Sequence, residues 1–517
     1  MAWDFPLTLL SMTSAKDRVG MPTQKHADKE PLRDAAGKEN ARESDFKPLS
    51  RSANGDDAYY KEKYGFSDPT DKYVVKATKG LSEEVVKEIS RIHDEPAWME
   101  QLRLKALKHF LERGPPAWAP ELAQIDFQSF SYYATPASKS SDSWAQLPEY
   151  ITKTYDKLGL LDAERKFLSG VGAVYESEAM YHSIQENLRK QGVIFTDTVT
   201  ALKEYPELMK KYFGTIVPYQ DNYIAALQTA VWSAGSFVYV PEGVKVPMPL
   251  QAYFRMNAER MGQFERTLII AEPGSEVDYI EGCSAPVYSS QSLHSAVVEI
   301  IAMKDSLVKY TTLQNWSKDV LNLVTKRAYA YENATVSWVD FNGGSKLTRK
   351  YPSVYLVGPR AKADIISVAY AGAGQVQDTG GKAIHLAKDT TSKIISRSVS
   401  KGGGHTAYRG MLHIAKGATN VRSTVRCDAL LIDAKSTTAT YPYMEINSDD
   451  ATVTHEASVG KVGEEQLFYL TAKGIPEGDA LSMIVNGFLE PFSKSLPMAY
   501  AVEFNRIMAL EMTNAVG

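Results

Sequence analysis

The feature that most restricts the fold is a spacing. From about Val193 the chain turns into short runs of β-branched and aromatic residues, among them Ser236-Phe-Val-Tyr-Val-Pro, Ser295-Ala-Val-Val-Glu-Ile-Ile-Ala, Ala328-Tyr-Ala-Tyr and Val336-Ser-Trp-Val-Asp-Phe. Gly, Asn, Asp and Pro separate them, as turns separate strands. A small residue closes each polar turn and opens the next run: Ser275, Ser306, Ala334, Ala361, Thr390, Ala418 and Ala451, at separations of 31, 28, 27, 29, 28 and 33 residues. A near-constant period with little residue identity is what stacked coils require, because each coil needs only the in-out alternation of its neighbour. No helical period lies inside a repeat, so the spacing predicts a mainly β fold, a parallel β-helix. A β-sandwich is the alternative, but it imposes no such period.

Helical patterns flank this region. Val85, Val86, Ile89 and Ile92, then Trp98, Leu102, Leu107, Phe110 and Leu111, follow helical spacing up to a stop at Gly114-Pro115-Pro116. A further helical stretch is expected from Asp162 to Gln191, with Glu176, Glu178 and His182 on a solvated face rather than at a metal. After Gly474 the pattern returns at Ala480, Met483, Ile484 and Phe488 and from Ala499 to Met512, expected to cap or flank the coils and shield their open edge. Residues 1–57 are polar and aperiodic, the composition of a disordered tail. The expected organisation is therefore a tail over 1–57, an N-terminal helical domain over 58–192, a β-helix over 193–473 and a C-terminal helical domain over 474–517.

Composition excludes several functions. Lys and Arg number 58 against 62 Asp and Glu, a net charge of -4, which supplies no field for a phosphate backbone, so no nucleic-acid partner is expected. No stretch approaches the roughly 20 apolar residues of a membrane span, and the run Phe5 to Leu10 lacks a basic flank, so a cytoplasmic protein without a membrane partner is expected. Two cysteines cannot build a disulfide framework, and a cluster held here cannot have four cysteine ligands from one chain. Gly402-Gly-Gly is not followed by Gly-Lys-Ser/Thr, so the chain is not expected to hydrolyse ATP itself, and no hydrolase elbow, zinc-protease motif or dinucleotide fingerprint is present.

The two cysteines draw the chemistry. Cys283 falls 8 residues after its repeat mark and Gln314 falls 8 after the next, so stacked coils should make them neighbours, with Trp316 on the face of Gln314. Taken alone, Cys283 reads first as a small buried hydrophobe. Cys427 precedes His455-Glu456 by about one coil; thiolate, imidazole and carboxylate are all ligand types for iron or a cluster, although an inert Cys427 beside a surface His-Glu pair satisfies the same spacing.

Longer segments carry a resemblance. Gly192-Val-Ile-Phe, Pro249-Leu-Gln-Ala-Tyr-Phe-Arg, Gly262-Gln-Phe-Glu-Arg-Thr-Leu-Ile-Ile, Tyr279-Ile-Glu-Gly-Cys, Leu293-His-Ser-Ala-Val-Val-Glu, Gln314-Asn-Trp-Ser, Val324-Thr-Lys-Arg-Ala, Tyr408-Arg-Gly, Cys427-Asp-Ala-Leu-Leu, His455-Glu-Ala, Glu465-Gln-Leu-Phe-Tyr and Met483-Ile-Val-Asn-Gly-Phe together resemble the SufB family of iron-sulfur cluster assembly scaffolds, from about Tyr73 to Gly517. The resemblance implies a right-handed parallel β-helix with helical domains on both sides, paired with SufD or a second SufB, and two copies of the ATPase SufC docked on the C-terminal helices. It implies a scaffold rather than an enzyme, ATP being bound by SufC. Sulfur from a cysteine desulfurase system is expected to enter at Cys283 and reach Cys427 through the interior, past Arg255, Asn257, Gln314, Trp316 and Lys326. A transient iron-sulfur cluster is expected at Cys427 and Glu456, with His455 nearby, at the junction of two subunits. Reduced flavin (FADH2) accompanies some such complexes, but no residue here is assigned to it.

A departure from the family is Thr454, where some relatives carry a second carboxylate before the His-Glu pair. Two rival readings are a carbohydrate-active β-helix enzyme, which needs acidic residues converging on an outer groove, and a structural adaptor that only recruits the ATPase.

Overall fold

The repeat marks fall at the turns between strands of successive coils. In the computed structural model, which describes residues 75–135, 143–158, 160–256, 260–285 and 291–513, the residue before the mark has a positive φ at Gly274, Asp305, Asn333, Arg360, Asp389 and Gly417. Glycine, asparagine and aspartate take this left-handed position at least cost. The mark then points inward, where only a small side chain fits: Ser275, Ser306, Ala334, Ala361, Thr390 and Ala418 are at most 2% exposed. The hydroxyls of Ser275 and Ser306 donate to the carbonyls of Glu272 and Met303, both at 2.7 Å. Successive corners are tied together as Asn333 donates to Asp305 at 2.7 Å and Asn420 to Asp389 at 2.8 Å.

Between corners the strands alternate between two sheets, and each pairs in parallel with the strand one coil away. The cysteine sheet contains Glu276–Ser284, Leu307–Asn315, Thr335–Gly343, Lys362–Ala371, Thr391–Ser400, Val421–Leu431 and Ala451–Lys461. The facing sheet contains Gly262–Ala271, Ser292–Ala302, Val320–Ala330, Leu347–Lys350 with Ser353–Leu356, Val376–His385, His405–Ile414 and Thr437–Ile446. This is the parallel β-helix that the period predicts. One mark is misplaced. Val421 comes three residues after Ala418, and it is Val421 that stands level with Ala451, as Arg422 does with Thr391. An odd insertion reverses which side chains face inward downstream of it.

The β region starts earlier than expected. Instead of one helical stretch over Asp162 to Gln191, helix Leu160–Phe167 is followed by strands Gly170–Tyr175 and Glu178–Ile184, a hairpin turning at Glu176, whose φ is 55°. The first of these strands pairs in parallel with Leu250–Arg255 and belongs to the cysteine sheet. Helical spacing among Glu176, Glu178 and His182 is therefore accidental: His182 is packed at 5.7 Å from the Phe195 ring, whereas Glu178 accepts the Tyr133 hydroxyl and meets His93 at 3.0 Å. Conversely, helices Thr198–Glu204, Pro206–Tyr212 and Tyr223–Val231 lie within the stretch read as continuous β-helix. The expected 1–57 tail lies outside the described residues.

The helices cover the outer faces of the sheets. Phe110 of helix Ala97–Arg113 stacks on Tyr223 at 4.2 Å, and this layer packs on Phe264, Leu293, Leu321 and Leu347 of the facing sheet. At the other terminus, helices Glu477–Ser493 and Met498–Thr513 bury Phe492 and Phe504, 4.8 Å apart, against Phe341, Val368 and Val399 of the cysteine sheet. They flank the coils and do not cap them. The last strands, Thr437–Ile446 and Ala451–Lys461, each pair on one side only among the described residues, and they expose Tyr441, Tyr443, Ile446 and Val459.

Candidate functional site

Inward-facing positions divide the interior into two lanes. Early in each strand of the cysteine sheet they are apolar or aromatic, as at Val277 and Tyr279, Val308 and Tyr310, Val336 and Trp338, Ala363 and Ile365. Later they turn polar. Register places Glu281, Thr312, Asp340, Ser367, Ser396 and Cys427 in one line, rung on rung. Beside it runs a second line that begins Cys283, Gln314, Asn342. Five strand spacings of about 4.8 Å separate the two cysteines, about 24 Å along the axis.

Cys283, 1% exposed, is the head of the polar lane. Its Sγ lies 3.7 Å from Glu281 Oε1, and the other Glu281 oxygen accepts the Tyr310 hydroxyl. Lys326 reaches in from the facing sheet: its Nζ is 3.8 Å from Glu281 Oε1 and 3.3 Å from Asp340 Oδ1, donates to Thr312, and lies 4.4 Å from the centre of the Tyr310 ring. Lys350 follows, 3.4 Å from Asp340 and 3.3 Å from Gln314 Oε1. Burial and the carboxylates of Glu281 and Glu265 push the Cys283 thiol well above its ordinary range. Burial works to raise Asp340 too, but the two ammonium groups outweigh it and hold that carboxyl low. Burial brings Lys350 down to about 8 against the pull of Asp340. The lane is thus an enclosed series of cations, carboxylates, amides and hydroxyls. Buried groups of this kind are stable only when paired.

Cys427 ends the lane at the open edge. It is 5% exposed, and its Sγ lies 3.9 Å from His455 Nε2 on the last strand. Burial raises its thiol to about 12, with the Tyr408 hydroxyl beside it acting the other way. Glu456 does not join them. It stands level with Arg426, reaches that guanidinium at 3.8 Å on the outer face, and its side chain is 72% exposed. Expecting thiolate, imidazole and carboxylate at one point therefore requires a correction. Strand alternation sends adjacent residues to opposite faces, so His455 and Glu456 cannot both accompany Cys427. Among the described residues no three His, Cys, Asp or Glu side chains converge on one metal position.

The remaining expectations divide similarly. Gln314 is level with Cys283, as the spacing predicts, and its neighbour in the lane, Trp316, is buried with its ring 4.5 Å from His294. Lys326 lines the interior. Arg255 does not: Phe254 stands level with Cys283, while Arg255 stands level with Ser284 and donates to its hydroxyl at 3.0 Å on the other face. Asn257 lies outside the described residues. Glu281, Asp340 and Lys350 were missed, although two of them are recoverable from the repeat, since each carboxylate falls six residues after its mark.

The described residues thus define a parallel β-solenoid protein with a cysteine at each end of a buried polar lane. Residues 254–488 match the family described as SUF system FeS cluster assembly, SufBD core domain, and residues 171–252 match the SufBD protein N-terminal region. An iron-sulfur cluster assembly SufBD family protein of Staphylococcus epidermidis is 53% identical over 455 residues, covering 88% of this chain and 98% of the relative. Another, from Staphylococcus saprophyticus, is 53% identical over 454 residues, covering 88% and 97%. The chain belongs to the SufBD family of iron-sulfur cluster assembly proteins.

Proposed function

We propose that the chain is the SufB-type scaffold of this family, accepting sulfane sulfur at Cys283 and presenting it at Cys427 for cluster assembly. The observation that carries the proposal is the unbroken line of polar rungs from Glu281 to Cys427, buried throughout, with Cys283 beside its first rung. A persulfide is anionic and reducible; Lys326, Lys350 and the Gln314 amide offer charge-assisted donors, and the walls keep bulk reductant out. Iron and sulfur are cargo here. Cys427 and His455 supply two donors from inside the last coil.

A second solenoid subunit, SufD or another copy, completes the ligand set by pairing with the exposed last strands, and a separate ATPase, SufC, docks on the C-terminal helices and opens that junction. The sulfur source is a cysteine desulfurase system.

Mass spectrometry after incubation with a desulfurase and cysteine tests the reading. Wild-type protein should carry extra sulfur on both cysteines, Cys427→Ala should retain it on Cys283 while cluster maturation is lost, and Cys283→Ala should leave Cys427 unloaded. Normal cluster maturation by Cys427→Ala rules the proposal out.

A further inference from the structure

The pocket around Cys283 is more fully equipped than a passage for sulfur needs. Glu281 Oε1 is the polar atom at 3.7 Å from the thiol, and the Tyr310 hydroxyl on its other oxygen fixes the carboxylate in place. Lys326 Nζ, 3.8 Å from that same Oε1, supplies a cation within reach of either group. Gln314, fully buried and level with Cys283, spends its Oε1 on Asn322 and Lys350, while its Nε2 has no hydrogen-bond partner. A carboxylate, a cation and a vacant amide donor are thus gathered on the rungs at and next to Cys283.

We propose that Glu281 is the catalytic base of sulfur acceptance, its Oε1 taking the Cys283 proton as Sγ attacks the outer sulfur of an incoming hydropersulfide. The proposal rests on Cys283 being the sulfur acceptor. In the step, the bond between Sγ and the transferred sulfur forms while the donor's sulfur-sulfur bond breaks. The donor sulfur leaves as a thiolate with the bonding pair and collects the proton held by Glu281. A thiol and a hydropersulfide exchange roles, and no external oxidant or reductant is consumed. Without a base, the step requires a thiolate in a pocket where burial and two carboxylates oppose it. With Glu281 the proton moves a few ångströms, the pocket's net charge is unchanged, and the new negative charge lies between Lys326 and the Gln314 amide. The other ionisable groups within electrostatic reach are Glu265, Lys350, Tyr279 and Tyr310.

The test is the rate at which full-length protein gains one sulfur on the Cys283 peptide from glutathione hydropersulfide, followed from pH 6 to 9. Wild type should show little pH dependence. Glu281→Gln should lose at least about tenfold at pH 7, and its rate should climb about tenfold per pH unit, since solvent must then remove the proton. Glu281→Asp, which withdraws the carboxylate by one methylene, should lose at least about threefold and keep the flat profile. If Glu281→Gln fails to fold, Glu281→Asp decides alone. Wild-type rate and profile in the folded variants overturn the role of Glu281 and leave Cys283 as acceptor. Absence of sulfur on wild-type Cys283 overturns both.

Discussion

Lys350 is the residue whose burial is most readily measured in solution. With its ammonium lowered to about 8, the folded chain has released a proton that the unfolded chain still holds at any pH between 8 and the ordinary lysine value of 10.5. Stability must therefore climb with pH across that window, because the penalty for a buried charge applies fully below pH 8 and fades above it. Lys350→Met should flatten the climb by up to one proton, at most about 1.4 kcal/mol per pH unit, in denaturant titrations from pH 7 to 10. Cys427 offers a second readout at this scale. A thiol at about 12 is almost wholly protonated at neutral pH, so its alkylation should be slow at pH 7 and accelerate about tenfold per pH unit up to 10. A plateau below pH 9 would show that the thiol is not buried as described.

At the scale of the element, the ladder works only if its rungs are small. The two rungs between Asp340 and Cys427 are Ser367 and Ser396, each ending in a single hydroxyl. Ser396→Leu should cost about 1–3 kcal/mol through overpacking and should stop sulfur at that rung, leaving Cys283 loaded and Cys427 empty in peptide mass spectra. Equal loading of both cysteines would place the route elsewhere. Corner chemistry belongs to the same scale and was legible in the sequence: a turn residue tolerant of positive φ, then a small inward residue, recurs because each coil reuses the same bend. The hairpin at Gly170–Ile184 was not legible. Its apolar residues satisfy a helical period about as well as alternation, and pairing with Leu250–Arg255, some eighty residues away in sequence, decides between them.

For the whole molecule, the decisive surface is the open end. Strands Thr437–Ile446 and Ala451–Lys461 expose Tyr441, Tyr443, Ile446 and Val459 together with one backbone edge each that is unpaired among the described residues. Such an edge invites another chain. Val459→Lys should weaken association with a second solenoid subunit in sedimentation experiments, while folding stability changes by no more than about 0.5 kcal/mol, as expected of an exposed position. Unaltered association would move the junction away from this end. No helix among the described residues is long and apolar enough to cross a membrane.

The sequence by itself determined the coil, because a period of about thirty residues with small corner residues has few other physical solutions, and it paired Cys283 with Gln314 because equal offsets from adjacent corners give equal height. It could not determine which residues meet at Cys427. Val421, three residues after Ala418, is the position in register with Ala451, and this odd offset puts Cys427 on the face of His455 and leaves Glu456 on the other. Nor could it reveal that Lys350 and Asp340 share one buried network, since they lie on different sheets and come together only when the coil closes. Offsets within a strand are local and survive in the sequence; the side a chain presents after an irregular corner, and its partner across the interior, are properties of the closed coil.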